Sequence, residues 1–254
     1  MGLGTFKGGV HPYDGKELSK EKPIKELMPQ GEMVYPLSQH IGAPAKECIA
    51  VGDTVLRGQK IAEAGGFVSA PIFSSVSGTV KAIEPRRVAT GDMVNSIIIT
   101  NDGKFIETGF ESCEDYTELS NEDIIKKIQD AGIVGMGGAG FPTHVKLSPN
   151  NPEKIEYIIA NCAECEPYLT SDYRSMVEEP QKLITGMKII LQLFPNAKGL
   201  LGIEDNKSDV IASLKALIQN EPRIEVVPLL TKYPQGGERQ LIKACTGREI
   251  NSKM

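Results

Sequence analysis

The sequence predicts an α/β protein with a Rossmann-like parallel sheet, preceded by a small all-β module, and three observations predict it. From Met33 to about Thr100, short β-branched runs alternate with Gly-Asp, Gly-Gln, Ala-Pro and Ser-Gly turns. From Ile155 onward, strand-like apolar runs alternate with segments of helical spacing, the pattern of parallel strands joined by helical crossovers. Between the two stands Gly135-Met136-Gly137-Gly138-Ala139-Gly140-Phe141-Pro142, with four glycines and one alanine in eight residues. So bare a backbone lets N–H groups approach a phosphate or a planar ring with no Cβ in the way, so the stretch reads as the floor of a nucleotide or flavin site.

Composition bounds the class. At 254 residues the chain can hold one large or two ordinary domains, and two are expected. Its 40% apolar and 24% charged content is that of a globular protein, and no run of about 18 apolar residues exists to span a bilayer. Direct membrane insertion is therefore not expected. The opening stretch, Met1 to Gly9, lacks the apolar core of a secretory signal, and five scattered cysteines do not make a disulfide framework. A cytoplasmic, reducing home is the expectation. A net charge of −5 carries no general electrostatic footprint for nucleic acid.

Taken in order, residues 1–31 mix Gly, Pro and Lys with little periodicity and read as an extended arm, with Phe6, Ile24 and Leu27 as anchors. Residues 32–106 form the all-β module, its strands expected at Met33–Tyr35, Ile49–Val51, Val76–Ile83 and Ile97–Thr100. Within it, Gly52 to Ala62, Val68 to Pro71 and Val76 to Ile83 resemble the lipoyl/biotinyl-type barrel-sandwich fold. Carriers of that fold present a lysine on an exposed hairpin between two halves, whereas the hairpin here, Ala64 to Ser69, has none. The resemblance therefore implies a structural or docking module. An acidic linker follows at residues 107–119, and residues 120–254 form the α/β domain.

That domain opens on Ser120-Asn121-Glu122-Asp123, a capping-box start, with Ile124, Ile125, Ile128 and Ala131 at helical spacing and Gly132 where the helix ends. A helix thus delivers the glycine loop. Strands are expected at Ile155–Ala160, Gly199–Ile203 and Ile224–Leu230. Helices are expected from Pro180 through Phe194, through Val210 to Ile218, and from about Glu238 to Cys245. Ligands of such sheets bind at the carboxyl ends of the strands.

Two turns at those ends carry candidate groups. In Asn161-Cys162-Ala163-Glu164-Cys165-Glu166-Pro167, the amide of Asn161 suits a flavin's uracil-like edge, and Glu164 and Glu166 suit ribose hydroxyls or a carboxamide. In Tyr233-Pro234-Gln235-Gly236-Gly237-Glu238-Arg239, the glycines free backbone N–H groups at a helix start and Glu238 stands in its first turn. Each alone is compatible with an ordinary polar turn; two glycine-bearing turns and an Asn/Glu turn in one α/β region favour a shared ligand. Cys162 and Cys165 read as lining residues, with a redox pair or two ligands of a metal as the alternatives. His144 is the histidine placed to stand near a ligand, and Lys146, five residues past Phe141, is either a phosphate contact or a solvated lysine.

Together these motifs resemble the FMN- and NADH-binding subunit of respiratory complex I and, more closely, the C subunit of the Rnf electron transport complex, an NAD:ferredoxin oxidoreductase. The Phe6 to Pro12 arm and Pro36 to Pro44 add to the likeness, which covers nearly the whole chain. The resemblance implies that Gly135, Gly137, Gly138, Ala139 and Gly140 pack against FMN, with Lys146 at its phosphate and Asn161 at the flavin. It places Phe141, Glu164, Glu166, Gly236 and Glu238 in the flavin or nicotinamide-nucleotide pocket. Met136, Ala163 and Gly237 stand where complex I has Arg, Asp and Glu, so its NADH contacts do not transfer whole. It further implies hydride transfer from NADH to FMN, with placement by the protein and no side-chain acid or nucleophile. Electrons would leave through [4Fe–4S] clusters of Cys-rich segments not found in these residues. The implied partners are other subunits of the complex, including an iron–sulfur subunit, and ferredoxin indirectly; the implied place is the cytoplasmic face of the cell membrane, as a peripheral protein. A paralogous flavin electron-transfer protein, such as a corrin reductase or amino-acid-reductase donor, and a flavin-less docking scaffold are the competing readings.

Overall fold

The computed structural model describes all residues except 1, 111, 114, 137, 139 and 252–254. The chain divides into two compact units, one of residues 27–150 and one of residues 1–26 with 151–254. The expected arm therefore belongs largely with the parallel-sheet unit, and residues 120–150, expected to open the α/β domain, group with the β module.

The unit of residues 27–150 contains β1 (Glu32–Pro36), β2 (Lys46–Glu47), β3 (Thr54–Val55), β4 (Lys60–Glu63), β5 (Ile72–Phe73), β6 (Gly78–Arg87) and β7 (Met93–Asn101). They form two antiparallel sheets, β1-β7-β6-β3 and β2-β4-β5. The inward alternation of β-branched residues supplies the core: Val55, Ile61, Val76, Val80, Ile97 and Ile99 pack together, each at most 1% exposed. Burying such side chains stabilises by about 1.5–3 kcal/mol each, enough to hold short strands whose ladders are only two to four residues long at β2 to β5. The strand expected at Ile49–Val51 is instead a turn, closed by the Asp53 carboxylate accepting from Ala50 N at 2.8 Å, and the strand lies earlier, at β2. The hairpin of residues 64–69 joins β4 towards β5 and carries no lysine.

The same unit ends in α1 (Asn121–Asp130) and the single-turn α2 (Thr143–Lys146). The capping box of α1 is complete: Ser120 Oγ accepts from Asp123 N at 3.1 Å and Asp123 Oδ2 accepts from Ser120 N at 3.3 Å. Gly132 follows in the left-handed conformation, φ 67°, as the sequence led one to expect. Between α1 and α2, Gly135 N donates to Phe141 O at 2.9 Å and Thr143 N to Ile133 O at 3.0 Å. The glycine loop is thus a loop closed at its base.

The other unit contains β8 (Tyr157–Cys162), α3 (Ser171–Glu178), α4 (Pro180–Gln192), β9 (Lys198–Glu204), α5 (Ser208–Leu217), β10 (Ile224–Leu229) and α6 (Glu238–Thr246). Its sheet is parallel, in the order β10-β9-β8. Central β9 is buried along Gly199 to Glu204, as a near-continuous apolar run in a covered parallel sheet should be. Helices cover both faces. A Cβ built on Gly199 meets Met187 and Leu191 of α4, and one on Gly202, three residues along and so on the other face, meets Leu241 and Cys245 of α6. Helix α3 is a strandless insertion that the sequence pattern did not reveal. The arm extends the β10 edge: Gly4 N donates to Pro228 O at 2.8 Å, Leu230 N to Gly4 O at 2.9 Å, and Val10 and Tyr233 exchange hydrogen bonds of 2.8 and 2.9 Å. Of the expected anchors only Phe6 is partly covered, its ring 3.9 Å from the Lys232 ammonium; Ile24 and Leu27 are 56% and 91% exposed. Backbone pairing, which side-chain patterns do not encode, holds the arm instead, together with side-chain bonds from Lys232 and Gln235 to arm carbonyls.

Candidate functional site

In the parallel-sheet unit the two polar turns meet. β8 carries Asn161 to its carboxyl end, and Asn161 Nδ2 donates to Gly236 O at 2.8 Å. Gly236 N donates to Cys165 Sγ at 3.2 Å. A Cβ on Gly236 would stand 3.3 Å from both Asn161 Oδ1 and Cys165 Sγ, so a side chain there would press on both groups. Asn161, Glu166 and Glu238 are exposed, the last in the first turn of α6.

Beneath the turns lies a layer of buried charge. Lys207, 3% exposed, donates through Nζ to Ala163 O at 2.8 Å and stands 3.4 Å from Glu204 Oε2; Glu204, 1% exposed, accepts from Lys232 N at 3.2 Å. Burial pushes Glu204 up and Lys207 down, and each charge opposes the shift of the other. Removing either partner would strand a buried charge, at about 3–5 kcal/mol. A polar hollow of about 330 Å³ is lined by Asp14, Lys16, Tyr173, Lys207 and Asp209 among others, and by none of Asn161, Glu166, Gly236 or Glu238.

Glu164 departs from the expectation of a ligand-facing acceptor. Its residue is 6% exposed and sits at φ 52°; Oε1 accepts from Asp172 N at 2.7 Å and so serves the N-terminus of α3, while Oε2 is buried 3.9 Å from Lys16 Nζ. Burial pushes its carboxyl up. The turn's left-handed residue rotates this side chain inward, which a linear motif does not disclose. Cys162 is buried and its thiol pushed up to about 12, which disfavours the thiolate a redox pair needs; Cys165 is half-buried beside Gly236. No cluster of three His, Cys, Asp or Glu residues suited to a metal occurs among the described residues.

In the other unit, Gly138 is exposed at φ 64°, and a Cβ there would meet nothing within 4 Å among the described residues beyond its chain neighbours. Gly140 is buried at φ 60°, with Gln39 O 3.0 Å from its would-be Cβ, so the loop's second half rests on the β module. Gly137 and Ala139 lie outside the described residues. Gly135, Phe141 and Lys146 are exposed. His144, expected near a ligand, is instead 2% exposed, with Nε2 3.1 Å from Phe67 O and its ring edge-on to Phe67, and so packs the hairpin of residues 64–69.

Taken unit by unit, bare backbone at Gly138 with the exposed Lys146 past the loop is chemistry of the kind a phosphate takes, and the exposed Asn161 amide with the exposed carboxylates of Glu166 and Glu238 is chemistry of the kind a planar polar ring or a ribose takes. Sequence reasoning missed Lys16, Glu204, Lys207 and Lys232, whose only signal is their tertiary burial. No helix among the described residues is long and apolar enough to cross a membrane.

Comparison with known proteins places the chain. Residues 128–254 match the family model described as the Nuo51 FMN-binding domain, and residues 4–104 match that of the RnfC barrel sandwich hybrid domain. The chain is 46% identical over 252 residues to the C subunit of the Na(+)-translocating ferredoxin:NAD(+) oxidoreductase complex of Acetobacterium woodii, covering 98% of this chain and 56% of that protein. It is 45% identical over 253 residues to the C subunit of the proton-translocating ferredoxin:NAD(+) oxidoreductase complex of Clostridium ljungdahlii, covering 98% and 55%. Against the C subunit of the ion-translocating oxidoreductase complex of Pseudomonas aeruginosa it is 42% identical over 250 residues, covering 98% and 32%. The chain thus spans about half the length of the first two of these relatives. With both domain models matched in order and this level of identity along 98% of its length, the chain belongs to the family of C subunits of Rnf-type ion-translocating oxidoreductase complexes.

Proposed function

We propose that this chain is the electron-input part of an Rnf-type NAD:ferredoxin oxidoreductase, binding FMN and NADH. The observation that carries the reading is the junction of Asn161, Cys165 and Gly236 at the carboxyl ends of the strands, in a region matched by an FMN-binding domain. When bound, FMN supplies the exchange between two-electron and one-electron chemistry. The chain's own residues bind and orient. Gly236 O holds the Asn161 amide in one orientation, and Asn161 would hydrogen-bond the polar edge of a flavin. Exposed Glu166 and Glu238 accept from ribose hydroxyls or a carboxamide, Gly135, Gly138 and Gly140 admit close backbone approach, Phe141 offers an apolar surface and Lys146 neutralises phosphate. Glu164 supports the turn from behind. The implied partners are the other members of the complex, an iron–sulfur subunit among them, with ferredoxin served indirectly, at the cytoplasmic face of the membrane. Onward transfer needs [4Fe–4S] clusters, and five cysteines with one C-x-x-C supply no four-ligand run for one.

The test is rapid mixing of the FMN-loaded chain with NADH. Bleaching of the oxidised flavin band is expected, with negligible ferredoxin turnover. An unchanged band removes the NADH site, failure to take up FMN favours the docking scaffold, and rapid ferredoxin reduction overturns the division of labour.

A further inference from the structure

The connection from β8 to α3 holds two non-glycine residues in the left-handed region, Glu164 at φ 52° and Tyr168 at φ 67°. Such conformations cost on the order of 1–3 kcal/mol each and persist only where the surroundings over-determine them. Here the surroundings come from the first 26 residues of the same compact unit. The Lys16 ammonium donates to three backbone carbonyls, Glu164 O at 2.8 Å, Glu166 O at 3.1 Å and Leu169 O at 2.6 Å, which use all three of its protons. Asp14 O accepts from Tyr168 N at 2.6 Å, and the Ser19 and Thr170 hydroxyls are 2.8 Å apart. Lys16 is 8% exposed, an unusual place for a strongly hydrated ammonium. Its side-chain hydrogen bonds and ion pair among the described residues all go to residues between 164 and 169, none of them in the β8-β9-β10 ladder.

We propose that Lys16 is a positioning residue for the cofactor turn: by drawing the carbonyls of Glu164, Glu166 and Leu169 inward, it sets where Asn161, Cys165 and Glu166 stand against Gly236. The proposal rests on the reading that this turn contacts FMN. Lys207 holds the preceding carbonyl, Ala163 O, so two ammonium groups fix the turn from within the fold while its outer edge stays available. An arm that reads from sequence as a loose leader thereby becomes the clasp of the site.

The experiment compares Lys16→Met with the parent and with Lys20→Met, whose side chain is 48% exposed on the same arm. In Lys16→Met the dissociation constant for FMN rises at least tenfold and the visible circular dichroism of bound flavin changes, since that signal reports the asymmetry around the ring. Amide exchange within residues 163–170 accelerates at least tenfold while the β8, β9 and β10 amides stay protected; Lys20→Met matches the parent in all three. A second variant, Lys16→Met with Glu164→Gln, removes the clasp without stranding the buried carboxylate and shows the same local pattern. Parent-like FMN affinity and exchange in folded Lys16→Met overturns the proposal. So does a uniform acceleration across the unit, or failure of both variants to fold, because Lys16 would then serve the whole unit. A parent that takes up no FMN overturns the flavin reading and the ligand named here, while the exchange contrast still decides whether the clasp exists.

Discussion

Replacing Gly138 with Val separates a ligand cradle from an ordinary turn. The residue sits at φ 64°, where a side chain costs roughly 1–2 kcal/mol of backbone strain, more for a branched one. Among the described residues beyond its chain neighbours, its would-be Cβ meets nothing within 4 Å, so packing against them adds no further penalty. Gly103 supplies a matched control, at φ 71° with equally open space. Both Gly138→Val and Gly103→Val should therefore lose similar stability, lowering the thermal midpoint by roughly 2–8 °C at about 2–4 °C per kcal/mol. Only Gly138→Val places a Cβ and two methyls where the flavin or its phosphate would meet bare backbone. Its FMN affinity should fall about a hundredfold or more, equivalent to about 2.7 kcal/mol. Fluorescence titration of FMN beside thermal melts of the two variants measures both terms. If Gly138→Val binds FMN within twofold of Gly103→Val, the open face of the loop is not a cofactor surface.

Two further outcomes are expected. The hairpin of residues 64–69 has no lysine, and Lys60 and Lys81, the nearest, pair with Glu63 and Glu32; intact mass after coexpression with lipoyl and biotinyl ligases should show no adduct, and an adduct on either lysine would move the carrier hairpin. Burial pushes the thiols of Cys162 and Cys245 up to about 12 and about 11 from an ordinary 9.0, so the folded chain keeps protons that the unfolded chain releases: the associated stability is present below pH 9 and lost as pH rises towards 11 and 12. Unfolding free energies from urea titrations should be nearly level from about pH 8 to 9 and then fall towards a limiting slope of about 1.4 kcal/mol per pH unit per thiol, less steeply in Cys162→Ala, and a flat profile would contradict the burial.

What the sequence made legible is what local pattern encodes. The 3.6-residue spacing of Leu183, Ile184, Met187 and Leu191 specified α4, the apolar run from Gly199 to Ile203 specified β9, and the capping box at Ser120 started α1 at the right residue. The strand missed at Lys46–Glu47 is two residues long and polar, and α3 has no extended apolar stripe, so neither leaves a periodic trace. The same distinction runs through the site. Gly236 and Asn161 were legible because a glycine before a helix and an amide after a strand are local signals, and the fold brings them within 2.8 Å of each other. Lys16 and Glu164 were not, because their meaning depends on partners 148 to 153 positions apart for the lysine and on one left-handed residue for the glutamate. A charged residue in a Gly- and Pro-rich arm reads as solvated on composition alone; only burial against carbonyls reveals it as a fixed donor. The outer edge of this turn is legible in motif form because its exposed amide and carboxylate stand close together in the sequence, and the inner edge is not because its chemistry is spent on distant parts of the chain itself. The residues that set the geometry of the site should therefore be sought on the inner edge, where Lys16 and Lys207 hold four successive or near-successive carbonyls.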